Sequence, residues 1–223
     1  MLTYYNRPLK MYLFHDISFP EYVVTEKIDL GFALSATALN ARETFAKMKE
    51  TVKSIIKKYT VGNLRYAVTV YGSDAKVLLS FERNFPALEN WLSSVDNMRI
   101  EQGGPALEKA LQKARVLFQS SGRKDAKKVL VVIADKSPIG DSGETGKEAL
   151  ELEYANVKIV PVAFGGDIDA KEIKDISPYK DVLVVVRNDV DPTDLGYSVM
   201  EKVLKGKPTP FLHSFFLESC YSE

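Results

Sequence analysis

The feature that most constrains the fold of this chain is a series of short apolar runs flanked by longer amphipathic segments. The runs at 129–134, 157–164 and 182–186 are rich in Val and Ile, which is typical of parallel strands buried on both faces of a sheet. In the flanking segments, apolar residues recur every three or four positions, as on a helix with one buried face. The clearest such stripe consists of Phe45, Met48, Val52, Ile55, Ile56 and Tyr59.

The order of these elements predicts the topology. An apolar run at 28–37 precedes the first helical stripe, and the runs at 64–71 and 76–81 are separated only by a short turn at 72–74. Strands that alternate with helices indicate parallel pairing, whereas two strands joined by a short turn indicate a hairpin. We therefore predict an α/β fold with a Rossmann-like open sheet. The sheet is expected to be mostly parallel, with one antiparallel edge strand at 76–81 and helices on both faces.

The chain is long enough for one full domain of this kind. Of its 223 residues, 45% are hydrophobic and 27% are charged, a composition that supports a sizeable core. The two ends show no sustained periodicity and contain several Pro and aromatic residues. We therefore expect an N-terminal extension at 1–26, the folded domain at 27–205, and a C-terminal tail or linker at 206–223.

Charge and motifs argue against several classes of function. The 30 basic residues balance the 30 acidic ones, so the net charge provides no electrostatic reason to bind nucleic acid. No apolar run approaches the roughly 20 residues of a membrane-spanning helix. His15 and His213 lie in the terminal segments without zinc-ligand spacing, Cys220 is the single Cys, and no phosphate-binding glycine loop follows the first strand. We therefore expect a chain that is not an enzyme and has no nucleic-acid partner and no membrane span.

Small polar side chains follow two of the predicted strands. Ser35 and Thr37 end the first apolar run, and Asp135 comes directly after the run at 129–134. The carboxyl ends of inner parallel strands converge on one crevice of an open α/β sheet, so these three side chains are expected to be neighbours. Their oxygens make this crevice a candidate site for a small ion or ligand.

The residues at these positions resemble the von Willebrand factor type A domain. The similarity is carried by IDLGFALSAT at 28–37 and KKVLVVIADKSP at 127–138, and it extends over about residues 27–205. In that family, Asp-x-Ser-x-Ser after the first strand binds magnesium or manganese, together with a Thr and an Asp from two later loops. This is the metal-ion-dependent adhesion site, and the resemblance places it at Ser35, Thr37 and Asp135.

The family pattern is broken in this chain. Ser35 stands where the leading Asp belongs, Thr37 replaces the first Ser and Leu39 replaces the second. The Thr loop reads Gly-Gly-Pro and ends at Pro105. Because Leu39 and Pro105 provide no side-chain oxygen and only Asp135 remains as a carboxylate, we expect a degenerate site that holds no metal, or at best weakly bound Mg²⁺ or Mn²⁺.

Each candidate residue also has a simpler interpretation. Ser35 and Thr37 are residues that often satisfy backbone groups in a loop before a helix. A buried carboxylate needs a partner, so Asp135 is either part of the crevice or paired with a Lys. Lys136 is either a substitute for the missing cation beside Asp135 or a solvated surface side chain. The sequence alone leaves these alternatives open.

The resemblance implies a non-enzymatic protein-binding or adhesion module. Its expected setting is a secreted extracellular matrix or adhesive protein, of which this chain would be one part of a longer precursor. The expected partner is a collagen or another matrix protein, bound largely independently of metal, and self-association is a further expectation. The alternatives are an intracellular type A scaffold domain in a multiprotein complex and an α/β enzyme with an unrecognised site.

Overall fold

The computed structural model describes residues 26–37, 42–59, 63–81, 92–93, 95–99, 104–135, 142–164, 176–177, 184–186 and 189–204. Its strands are β1 (Ile28–Ser35), β2 (Leu64–Tyr71), β3 (Ala75–Leu79), β4 (Lys127–Ala134), β5 (Val157–Phe164) and β6 (Val184–Val186). Its helices are α1 (Arg42–Lys58), α2 (Leu107–Ser120), α3 (Ser142–Tyr154) and α4 (Pro192–Leu204).

The described strands form one sheet in the order β3-β2-β1-β4-β5-β6. All neighbouring pairs are parallel except β2 and β3, which are antiparallel. The predicted open sheet with a single antiparallel edge strand is therefore confirmed. The proposed extension and tail at the two ends lie almost entirely outside the described residues, so their boundaries stay predictions.

Both faces of the sheet are covered by helices. On one face, α1 and α4 pack a hydrophobic cluster against side chains of the sheet such as Phe32 and Val131. On the other face, α2 and α3 do the same against Leu130 and Val132. This double burial explains why the inner strands are apolar at consecutive positions rather than at alternate ones. The predicted stripe of α1 is buried along its whole length.

Several strand ends differ from the sequence-based expectation. Strand β1 ends at Ser35 and not at 37, and β3 begins one residue earlier than expected, at Ala75. The edge strand β3 ends at Leu79, because Phe81 leaves the sheet and packs its ring 5.0 Å from that of Phe118 in α2. Strand β4 begins two residues earlier than expected, at Lys127, whose backbone pairs with the start of β1. A lysine at the start of a buried strand is tolerated when its ammonium group reaches the sheet edge.

Helix α4 has a capped N-terminus. Pro192 occupies the first helical position, and the backbone N–H of Thr193 donates to the Asp191 carboxylate at 2.7 Å. Asp191 thus caps one of the unpaired N–H groups at the start of the helix. Its pKa lies below the ordinary value, chiefly because of this backbone hydrogen bond.

Candidate functional site

The candidate site lies at the carboxyl edge of the sheet, between β1 and β4. These strands are direct neighbours, with Leu34 of β1 opposite Ile133 of β4. The chain leaves β1 toward β2 on one side, whereas β4 lies on its other side. This is the point where the strand order reverses, and open α/β sheets form their crevice there.

The structure brings the three predicted side chains together. The Ser35 hydroxyl donates to Asp135 Oδ1 at 2.6 Å, and the Thr37 hydroxyl donates to the same oxygen at 3.3 Å. The two hydroxyl oxygens are 3.3 Å apart. Ser35, Thr37 and Asp135 are exposed by only 2%, 1% and 4%. The carboxylate is therefore buried and held by two hydroxyl groups from the end of β1 and the loop that follows it.

Tyr71 is a further member of this cluster that sequence reasoning missed. It ends β2, lies opposite Ser35 in the sheet, and is buried beside the Ser35–Asp135 pair. Burial, and then the negative charge of Asp135, raises the pKa of Tyr71 far above its ordinary value. The raised pKa keeps the Tyr71 hydroxyl neutral beside the carboxylate. The sequence signal that could have indicated Tyr71 was its position at the end of β2, the strand next to β1.

The loop that would carry the family's Thr is packed against the β2–β3 turn. Pro105 is buried, and the backbone N–H of Ala106 donates to the Gly72 carbonyl at 2.6 Å. Pro105 thus lies in a fixed segment just before α2, and it has no hydroxyl to offer the crevice. Leu39 and Lys136 lie outside the described residues, so the electrostatic role of Lys136 stays a prediction.

Among the described residues, the buried side chains gathered at this edge offer one carboxylate and three hydroxyls, those of Asp135, Ser35, Thr37 and Tyr71. Among the residues that the structure describes, no group of three or more His, Cys, Asp or Glu is arranged to hold a metal ion. The hydroxyl protons of Ser35 and Thr37 point to the carboxylate instead of a ligand.

In the described part of the chain, no helix is long and apolar enough to cross a membrane.

Sequence relatives of this chain include proteins of the matrix and of the cell surface. It is 28% identical to the mouse collagen alpha-4(VI) chain over 158 residues, which is 70% of this chain and 7% of that protein. It is 25% identical to mouse integrin alpha-X over 201 residues, which is 85% of this chain and 17% of that protein. This chain thus corresponds to a small part of either relative.

A solved structure with the same fold is proximal thread matrix protein 1 from the mussel byssus. It superposes with a TM-score of 0.70 at 18% identity, over 80% of this chain and 46% of that chain. Another structure of the mussel protein has a zinc-occupied metal-ion-dependent adhesion site. The family model of the von Willebrand factor type A domain matches residues 29–196, a span that includes the crevice and all four described helices up to the first turns of α4. This chain is a member of the von Willebrand factor type A domain family.

Proposed function

We propose that this chain is a non-enzymatic protein-binding module of an extracellular matrix or adhesive protein, and that it binds its partner without a divalent ion. Family membership and the similarity to a collagen VI chain and an integrin support the adhesive role. The partner is a collagen, another matrix protein or a second copy of the chain. The module acts as one part of a longer secreted protein.

The hydrogen-bonded state of Asp135 is the observation that carries the metal-independent part of the proposal. A divalent magnesium or manganese ion needs several oxygen ligands, with anionic charge among them. Here the single carboxylate accepts the protons of Ser35 and Thr37, and the leading carboxylate of the family is replaced by Ser35 itself. The donor set of the described residues does not fit a tightly bound ion.

Burial supports the same conclusion. An adhesion site that works through its ion must let a partner's carboxylate reach that ion, yet Asp135 is 4% exposed and Thr37 is 1% exposed. Tyr71, which lies opposite Ser35 in the sheet, is only 1% exposed as well. We therefore assign partner binding to surfaces away from this crevice, and we assign the crevice a structural role in holding β1, β2 and β4 together.

A binding assay with and without chelator tests this function. The probes are immobilised fibrillar collagen, collagen VI and a salt-washed matrix extract, and the readout is the dissociation constant from biosensor titrations. We expect binding that EDTA leaves unchanged, and we expect the same affinity for Asp135→Asn, which keeps an acceptor oxygen at the same position. Loss of binding in EDTA, or in Asp135→Asn with an unchanged melting temperature, would contradict the proposal.

A variant that restores the family pattern provides the matched positive control. It carries Ser35→Asp, Thr37→Ser, Leu39→Ser and Pro105→Thr, and so regains the oxygens that the family uses. If this variant gains EDTA-sensitive binding while the natural chain stays insensitive, the assay is able to detect metal-dependent adhesion. Absence of binding to every probe by the natural chain would count against an adhesive function as such.

A further inference from the structure

A second concave surface lies at the opposite, amino-terminal edge of the sheet. It has a volume of about 530 Å³ and collects residues from the α2–β4 loop, the start of β4, the α3–β5 loop and the start of β5. Four lysines line it, and none of the other described lining residues is acidic. These lysines are Lys124, Lys127, Lys128 and Lys158. Lys158 comes from a different stretch of the chain than the other three, so the complete cluster exists only in the folded chain.

Two of the lysines are held by the end of helix α4. Lys127 donates to the Val203 carbonyl at 2.8 Å, and Lys158 donates to the Lys202 carbonyl at 2.8 Å. These carbonyls belong to the last turn of the helix, where backbone acceptors lack intrahelical partners and cations are favoured. The two ammonium groups are therefore fixed at the sheet edge rather than free to extend into solvent.

The other two lysines of this concave surface are Lys124 and Lys128. Lys124 is exposed in the α2–β4 loop, and Lys128 is half-buried in β4. Successive strand residues point to opposite faces, so Lys128 lies on the other side of the sheet from Lys127. Within the described ranges, no carboxylate forms an ion pair with either Lys124 or Lys128.

The acidic residues nearest in the chain do not neutralise this cluster. Asp125 forms an ion pair with Lys27, and the buried Asp29 is paired with Arg123. Both carboxylates are thus already matched by basic groups outside the four lysines. A ligand for this concave surface should therefore bring more than one negative charge. Two of the four lysines have no carboxylate partner among the described residues, and the carbonyls that hold the other two carry no net charge.

We propose that this lysine cluster is a binding site for a sulfated polysaccharide chain. Repeated sulfate groups supply closely spaced negative charges in an irregular array. Lysine ammonium groups suit such an array, because each is a point charge on a flexible stem and needs no fixed binding geometry. Tyr154, 79% exposed at the end of α3, directly precedes Ala155 and Asn156 of the lining and offers an apolar ring face beside the site. The choice of a polysaccharide rests on the matrix function proposed above, whereas the anionic site rests on the lysines alone.

The charge of the whole chain favours a polysaccharide over nucleic acid. Nucleic-acid-binding domains typically carry a large basic excess, whereas this chain has 30 basic and 30 acidic residues. The lysine cluster occupies a concave surface of limited size. A short sulfated stretch fits such a surface, while a long polyanion would also meet the acidic remainder of the molecule.

The test is a titration with a heparin octasaccharide, its desulfated counterpart and a single-stranded oligonucleotide of similar charge. We expect the natural chain to bind the sulfated octasaccharide more tightly than either other probe. Lys124→Ala with Lys128→Ala is expected to weaken binding by roughly tenfold and to lower the slope of log affinity against log salt by about two. Lys124→Arg with Lys128→Arg should keep the affinity.

The control has the same change in charge at a different place. Lys109→Ala with Lys147→Ala removes two exposed lysines of α2 and α3 that do not line the cavity, and it should leave octasaccharide binding unchanged. An equal loss in both double variants, equal binding of the desulfated or nucleotide probe, or no binding at all would overturn the proposal. These assays contain no protein partner, so their outcome is independent of the collagen and matrix titrations.

Discussion

Arg123 ties three segments of the chain together through the fully buried carboxylate of Asp29. Its Nε donates to Asp29 Oδ1 at 2.8 Å, and its backbone N–H donates to Oδ2 at 2.6 Å. The same guanidinium donates to the carbonyls of Ile28 and Asn63, each at 2.9 Å. The α2–β4 loop is thereby anchored to the starts of β1 and β2.

We expect Arg123→Ala to be strongly destabilising. It would leave the Asp29 charge buried with only the backbone donor, and removal of one partner of a buried ion pair typically costs about 3 to 5 kcal/mol. Arg123→Lys should recover only part of this loss, because an ammonium cannot reproduce the planar set of donors. Urea denaturation followed by circular dichroism measures the free energy of unfolding.

The matched control for Arg123 is Arg115→Ala. Arg115 pairs with Glu148 at 3.0 Å on the α2–α3 surface, where the Arg side chain is 23% exposed instead of 15% and the carboxylate is 11% exposed instead of 0%. Arg115→Ala should lower the free energy of unfolding clearly less than Arg123→Ala does. Equal costs for the two variants would mean that Asp29 gains little from the guanidinium.

The two hydroxyls on Asp135 are expected to contribute unequally. Ser35→Ala removes the 2.6 Å bond, whereas Thr37→Val removes the longer 3.3 Å bond. Loss of a hydrogen bond to a buried group costs about 1 to 3 kcal/mol, and Ser35→Ala should lie at the upper end. Thermal and urea unfolding of both variants give the comparison. If Thr37→Val proves the more costly change, the order of these hydrogen-bond strengths is wrong.

Lys136 is predicted to neutralise Asp135 without an ion. Lys136→Gly should then destabilise the domain by about 1 kcal/mol, and combination with Asp135→Asn should recover much of that loss. A double-mutant cycle in denaturant measures this coupling. A Lys136→Gly variant that is neutral within about 0.5 kcal/mol, as ordinary surface changes are, would mean that Lys136 is a solvated side chain and that other groups, Ser35 and Thr37 among them, hold Asp135.

The metal prediction is tested by isothermal titration with Mg²⁺ and Mn²⁺. The natural chain should show no binding, or a dissociation constant of about a millimolar or weaker, because one hydrogen-bonded carboxylate is a poor ligand set. The variant with the restored family pattern should bind at least tenfold more tightly. A submillimolar constant for the natural chain would refute the degenerate site.

The capping carboxylate of Asp191 should make the stability of the domain depend on pH in the acidic range. Its pKa lies below the ordinary value of 3.8, mainly through the Thr193 backbone N–H. The stabilisation is therefore complete above pH 3.8 and is lost as the pH falls through the lower folded-state value. Asp191→Asn keeps the acceptor but has no charge to lose. The melting-temperature difference between the natural chain and Asp191→Asn should shrink in acid, and a constant difference would contradict this.

Most of the fold was predictable from local patterns. The apolar runs gave β2 at its observed bounds, 64–71, and the stripe after residue 42 is the buried face of α1. The predicted end of β3 and the predicted start of β4 were each wrong by two residues. Phe81 packs on α2 instead of extending β3, and Lys127 and Lys128 already pair with β1. Those ends depend on contacts between segments, which periodicity does not record.

The crevice was predictable because topology alone brings strand ends together. Ser35 and Asp135 are 100 residues apart, yet both follow inner parallel strands, and this was enough to predict their meeting. Tyr71 was missed, since its role depends on which neighbour its hydroxyl reaches. The direction of the hydroxyl protons is likewise visible only in the packed site.

The sequence by itself determined the α/β class, the single antiparallel edge and the edge of the sheet where Ser35, Thr37 and Asp135 meet, because strand and helix periods are local properties of the chain. Only the tertiary structure decided that Asp29 pairs with Arg123, 94 residues away, and that lysines from two separate stretches of the chain share one concave surface. Charge pairing depends on distances in space, and those distances exist only after the sheet and its helices have packed.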